Sequence, residues 1–234
     1  MPTKFDSSLD MIVAEVAAEG RAATTEDIAR LRQLGVHSVE DLIGVLDHGD
    51  GEDRQRACWV LGRLEDPRLG QHLVRALFDP ESGLRIEAAK SLGTLAAPDT
   101  IPELVRALTE EGEPDVRSAI AAALGLTGDE RAVDPLLAKL GDTSEQAAVR
   151  GAAAEALTGP RSPRAVDPLI AALADPEAEV RFWAAFALGQ LGDERAIPAL
   201  EQLARSDTAV LEGWGRISDE ASEAISEIRA RPVS

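Results

Sequence analysis

Apolar positions return along this chain in a fixed phase, with arginine, glycine and proline set between them. Counting from Arg54, Arg85, Arg117, Arg150 and Arg181, the eighth residue on is Gly62, Gly93, Gly125, Thr158 and Gly189. The sixteenth is Gly70, Ile101, Val133, Val166 and Ile197, and the nineteenth is leucine every time (Leu73, Leu104, Leu136, Leu169, Leu200). The twenty-third is Leu77, Leu108, Leu140, Leu173 and Ala204. The arginine anchors stand 31, 32, 33 and 31 residues apart. Repetition at this period marks a solenoid, in which no unit buries its apolar face alone and each leans on its neighbours.

Within each unit the spacing predicts two helices. In the second unit Leu84, Ala88 and Leu92 fall four apart on one face of a first helix. Gly93 is expected to end that helix in the left-handed conformation that glycine adopts without a Cβ clash. A second helix is expected to begin near Ile101-Pro102, since proline in the first turn forfeits no hydrogen bond. Acidic residues ahead of the second helices (Asp99, Asp129, Glu130, Asp193, Glu194) suit the positive end of a helix dipole. The copies differ in places. Gly70 replaces an aliphatic residue, so that second helix is expected to start late, and Thr158-Gly159-Pro160-Arg161-Ser162-Pro163 replaces a glycine stop.

Both ends read as caps, giving one domain over residues 1–234: N-terminal cap helices over 1–52, five repeats over 53–207, and a C-terminal cap helix and tail over 208–234. Val39, Leu42 and Leu46 repeat the second-helix pattern ahead of Arg54, with Ser38 and Asp41 as a capping pair. Thr24 and Asp27 would cap a helix before it, and residues 6–19 would form one more. Ile217, Ala221 and Ile225 match the apolar face of a first helix, and Arg231-Pro232-Val233-Ser234 is expected to fray.

The pattern V-R-x-x-A-A-x-A-L-G-x-L followed by A-I-P-x-L stands here as Val116 to Gly125 and as Val180 to Gly189. It resembles the HEAT-like repeats of the phycocyanobilin lyase type over roughly residues 39–228. The resemblance implies an all-α fold, a right-handed α-solenoid of helix pairs whose second helices line a concave face. It also implies a choice of function: a scaffold or adaptor that binds another protein in prokaryotic signalling or assembly, or a bilin-lyase-like subunit or chaperone handling a tetrapyrrole on phycobiliproteins. Repeats of this kind also build deoxyhypusine hydroxylases, which bind iron through His-Glu pairs. The histidines here are followed by other residues (His37-Ser38, His48-Gly49, His72-Leu73), so no metal site is expected.

Charge and composition narrow the partner. The formal net charge is −18, and the acidic groups are spread along the chain. Such a surface repels phosphates, which argues against nucleic acid and anionic lipid. Three lysines stand against twenty-one arginines, as a GC-rich prokaryotic genome or a salt-adapted surface would produce. Hydrophobic content is 44 % with only 3 % aromatic residues, little for a large tetrapyrrole to pack against. No signal peptide or membrane span is read, so the chain is expected in the cytoplasm. Self-repulsion among excess carboxylates is screened by salt, the Debye length falling to about 3 Å at 1 M. The melting temperature is therefore expected to rise from dilute buffer to molar KCl; a flat curve leaves genome composition as the account of the missing lysines.

No nucleophile or cofactor motif stands out, and a non-catalytic role without cofactor is expected. Cys58 occupies a slot that holds Ala89, Ala121, Ala154 and Ala185 in the other units, which is a packing position. Asp47 to Asp53 lacks the alternating ligands of a calcium loop and reads as a solvated turn. The repeated arginines are expected to pair with acids of the adjoining turn, one job repeated in each unit. Candidate partner-binding residues come from second-helix positions facing a groove: Arg75, Glu103 and Arg106 at its charged end, then Ala138, Ala171 and Gln202 along a smaller, less polar stretch. A second candidate is the flank Phe182, Trp183 and Phe186, either an exposed hot spot or a patch covered by Trp214 and the segment from Ser206 to Gly215.

Overall fold

The second helices begin where the repeat phase puts them. The computed structural model describes residues 36–64 and 66–231; the helix expected over 6–19, the Thr24–Asp27 pair and residues 232–234 lie outside them. The chain divides into two compact units, residues 1–104 and 105–234. Both are built from the helix pairs of an all-α solenoid.

In the first unit α1 (Val36–His48) packs on α2 (Gly51–Arg63), and α4 (Ser82–Leu95) packs on both α2 and α3 (Gly70–Leu77). Ser38 lies inside α1 rather than at its start. Asp50 caps α2, its side chain accepting from the Asp53 amide at 3.0 Å. The helix α3 starts at Gly70, level with its counterparts and not late, after a 3₁₀ turn over Pro67–Leu69. The missing side chain has a packing reason instead, since a Cβ there would meet Thr100 Cγ2 at 2.9 Å. The next second helix, α5 (Ile101–Glu110), begins at the expected residue.

The second unit continues with α6 (Pro114–Thr127), α7 (Val133–Gly141), α8 (Ala147–Ala156), α9 (Val166–Ala172), α10 (Ala178–Leu191), α11 (Ile197–Ser206) and α12 (Ile217–Ala230). The first helices α6, α8, α10 and α12 pack in series, and α7, α9 and α11 lie against them. Leu73, Leu104, Leu136, Leu169 and Leu200 are all fully buried, as their phase requires. On α12, which packs as a first helix does, the buried face is Ile217, Ala221, Ala224, Ile225 and Ile228. Between α11 and α12 a short antiparallel hairpin pairs β1 (Val210–Leu211) with β2 (Gly215–Arg216), an element the repeat pattern does not contain.

The recurring glycine is not a helix stop. Gly62, Gly125 and Gly189 sit inside α2, α6 and α10. A Cβ at Gly62 would overlap Ser91, one at Gly125 would come within 2.7 Å of Ala156 Cα, and one at Gly189 within 2.9 Å of Ala224 Cα. These residues let successive first helices approach backbone to backbone. The left-handed stop comes three residues later, at Gly128 (φ 64°) and Gly192 (φ 78°), and at Ala96 (φ 46°) in the first unit.

Half-buried Glu220 on α12 carries a consequence for pH. Burial and the like charges of Glu223 and Glu227 push its carboxyl up to about 7. Between the ordinary carboxylate range and pH 7 the folded state therefore holds more of this proton than the unfolded chain, and stability falls as pH rises. Glu220→Gln is expected to raise the melting temperature at pH 8, by about 1 kcal/mol of stability after solvent screening, with the gain vanishing near pH 4.5. Thermal melts followed by circular dichroism check this; an equal gain at both pH values counts against it.

Candidate functional site

The repeated arginine turns out to be a staple between consecutive turns. Arg54 pairs with Asp79 and donates from Nε to Leu46 O at 2.9 Å. Arg117 forms a two-pronged pair with Glu145, both bonds at 2.7 Å, and reaches back to Glu111 O and Gly112 O at 3.1 and 2.8 Å. Arg181 repeats the arrangement with Asp207 at 2.6 Å and with Asp175 O and Pro176 O at 2.8 and 2.9 Å. Arg150, 4 % exposed, pairs with Asp175 and leaves its Nε without a partner. Arg85 donates to Asp79 O and Pro80 O. These bonds answer the chain reversals' carbonyls with a planar, permanently charged donor set. They also commit Asp79 and Asp175, which follow the ends of α3 and α9, to the turns.

A lighter copy of the device lies at the other turns. Asp66, Asp129 and Asp193 each accept from the amide two residues on and pair with the same residue's guanidinium, Arg68, Arg131 and Arg195. These hydrogen bonds hold the Asp129 carboxyl near 2. Arg164 and Arg195 then reach the acids of the preceding second helix, Asp134 and Asp167. The acids ahead of the second helices thus shape 3₁₀ turns, beyond the dipole effect that their position indicates, while Asp134 and Asp167 inside those helices bind the arginine of the next repeat.

Against this background the candidate binding residues separate. In the first unit Arg75 is exposed, 2.6 Å from His72 Nδ1 and 3.4 Å from Asp47, while Glu103 is half-buried. In the second unit Arg106 is exposed. Ala138, Ala171 and Gln202 are exposed on α7, α9 and α11, in the same repeat phase.

The aromatic flank is largely covered. Phe182 and Trp183 are 3 % and 8 % exposed, Phe186 is half-buried, and Trp214 from the hairpin stacks edge-on against Trp183 with centroids 4.8 Å apart. Phe182 and Phe186 flank Trp183 at 5.2 and 5.7 Å. Trp183 fits because Gly151 has no side chain, a Cβ there meeting its Cδ1 at 2.9 Å. What remains outward is Trp214 itself, 62 % exposed, with Val210 beside it in the hairpin. Of the two readings of this flank, the covered one holds for Phe182 and Trp183, and the exposed hot spot does not: the hairpin roofs them, and the accessible ring is Trp214.

The chemical candidates fall as follows. Cys58 is fully buried, and burial, reinforced by Glu87, pushes its thiol up to about 12, leaving almost no thiolate at neutral pH. Among the described residues no group of His, Cys, Asp and Glu is placed to hold a metal ion, and no helix is long and apolar enough to cross a membrane.

Helix pairs stacked in series and stapled by arginine place this protein in the class of α-helical repeat solenoids. The HEAT-repeat family model matches residues 39–125, 71–148 and 135–214, and the chain belongs to that family. The bilin biosynthesis protein PecE of Mastigocladus laminosus is 38 % identical over 107 residues, covering 43 % of this chain and 40 % of that protein. PecE of a Nostoc species is 38 % identical over 116 residues, 47 % and 46 % of the two chains. The deoxyhypusine hydroxylase of Aspergillus fumigatus is 36 % identical over 101 residues, 40 % and 30 %. The chain thus spans less than half the length of these curated relatives. Among solved structures, the complex of CpcE and CpcF of phycocyanin lyase from Nostoc superposes with a TM-score of 0.51 at 20 % identity, covering 97 % of this chain and 98 % of that one. An engineered protein superposes with a TM-score of 0.53 at 22 % identity, covering 82 % and 96 %. Both show the fold.

Proposed function

We propose that this chain is a cytoplasmic scaffold that binds another protein through the open faces of its second helices, Ala138, Ala171 and Gln202 in the second unit and Arg75 and Glu103 in the first, with Arg106 on the second unit's share of α5. The observation that carries it is the division of labour among repeated positions. The anchor arginines are spent on the turns, whereas Ala138, Ala171 and Gln202 stand exposed at one phase of three successive helices. Short side chains at such positions let a partner helix or extended segment approach the backbone closely. Affinity purification from the native organism with mass spectrometry tests this reading. Recovery of a stoichiometric protein partner is expected; a chain that purifies alone from every growth condition speaks against it.

A second reading has its own support in the 38 % identity to PecE over 107 residues. On that reading the scaffold's partner is a phycobiliprotein and the chain assists attachment or handling of its bilin. Mixing the purified chain with free bilin and apo-phycobiliprotein separates the two. A shift of the visible absorption that depends on the chain favours the bilin role, and an unchanged spectrum favours the plain scaffold.

A further inference from the structure

Two arginines seventy residues apart converge on one carbonyl, and among the described residues neither is paired with a carboxylate. Arg161 Nη2 donates to Gln190 O at 2.8 Å, and Arg231 Nη2 donates to the same oxygen at 2.7 Å and to Gly189 O at 3.2 Å. In this unit Arg117, Arg150, Arg181, Arg195 and Arg229 each have a carboxylate partner. Arg161 and Arg231 have none among the described residues, although the formal net charge is −18. Glu227, four residues before Arg231 on α12, accepts from the neutral Gln190 side-chain amide at 3.1 and 3.2 Å rather than pairing with either arginine.

The backbone is arranged to place them. Gly159 lies flush on the Gly125 carbonyl with no room for a side chain. Three residues on, buried Ser162 donates from Oγ to Glu130 at 2.9 Å. Pinned on both sides, the turn holds Arg161 at φ 53°, a left-handed conformation that non-glycine residues rarely adopt. On the other side Arg231 lies over Gly192, whose missing Cβ leaves space for the guanidinium. The residue expected to fray is thus anchored.

One guanidinium is enough to cap the C-terminal carbonyls of α10. Two on a single oxygen repel each other, and each keeps further N–H groups unspent. We propose that Arg161 and Arg231 form a clamp for an oxyanion, a carboxylate or phosphate group whose oxygens accept from both guanidiniums at once.

The test uses the whole chain at about 0.15 M ionic strength, where the Debye length of about 8 Å damps the overall repulsion of anions. Inorganic phosphate and malonate are titrated separately against matched chloride, read by calorimetry and by thermal shift. Saturable binding is expected with at least one of them, and the arm that responds identifies the anion. Arg161→Gly suits the left-handed backbone, so it should fold at least as stably without anion, yet bind at least about tenfold more weakly; Arg231→Gln should weaken binding similarly. Arg216→Gln, at an exposed hairpin arginine, should leave binding unchanged. A wild-type chain that answers phosphate and malonate no differently from chloride overturns the proposal, and so does an Arg161→Gly chain that keeps the full response.

Discussion

Replacing Ala138 and Ala171 together by lysine, or together by glutamate, is expected to abolish partner capture while leaving the helical circular-dichroism spectrum unchanged. Both residues are exposed on successive second helices, so the folded chain tolerates the longer side chains. By helix-packing distances they lie about 10 Å apart on one face. Burying an unpaired charge under a partner costs several kcal/mol each, against roughly 8 kcal/mol for a micromolar complex. Using both signs keeps the outcome independent of the partner's own charge. Trp214→Ser is the control, because Trp214 is the exposed ring of the aromatic cluster and Phe182 is core. Loss of capture in that variant alone moves the interface to the hairpin.

Leu136→Ala is expected to destabilise the chain by about 2–5 kcal/mol, the range for truncating a fully buried leucine. In a stack whose units touch only neighbours, that loss stays local. Hydrogen exchange should quicken first in α7 and in α8, which it packs against. Uniform acceleration over all the described helices would contradict the stacked-unit account.

Much of the fold is legible in one dimension. The phase of Leu73, Leu104, Leu136, Leu169 and Leu200 marks the buried side of each second helix, and the sixteenth position marks its first residue. The alanine-slot placement of Cys58 gives its burial, and the period-four face of Ile217, Ala221 and Ile225 gives the closing helix. All of these are properties of single helices, where spacing and side-chain size decide which face turns inward. The candidate binding face is legible in the same way, since Ala138, Ala171 and Gln202 are exposed as their phase requires.

Other features depend on what stands across a helix interface. The glycines inside α2, α6 and α10 look like terminators in a linear reading, because a helix pattern does not say how closely the next helix comes. That Arg117 takes Glu145 while Arg150 takes Asp175 follows from turns of unequal length, which shift the acid relative to its arginine. The sequence left Phe182 and Trp183 either exposed or covered by the segment from Ser206 to Gly215, and the hairpin formed there decides for cover.

By itself, then, the sequence determined that this protein is a chain of stacked helix pairs, which residues form their cores and which phase stays open to solvent. It could do so because helical periodicity is a local property that every copy restates. Tertiary structure alone decided which acid each arginine holds, why glycine recurs inside the helices, and that Arg161 and Arg231 meet at Gln190. Those contacts join residues about 25 or more positions apart in the chain, and their distances are set by helix approach and turn length together rather than by any one segment.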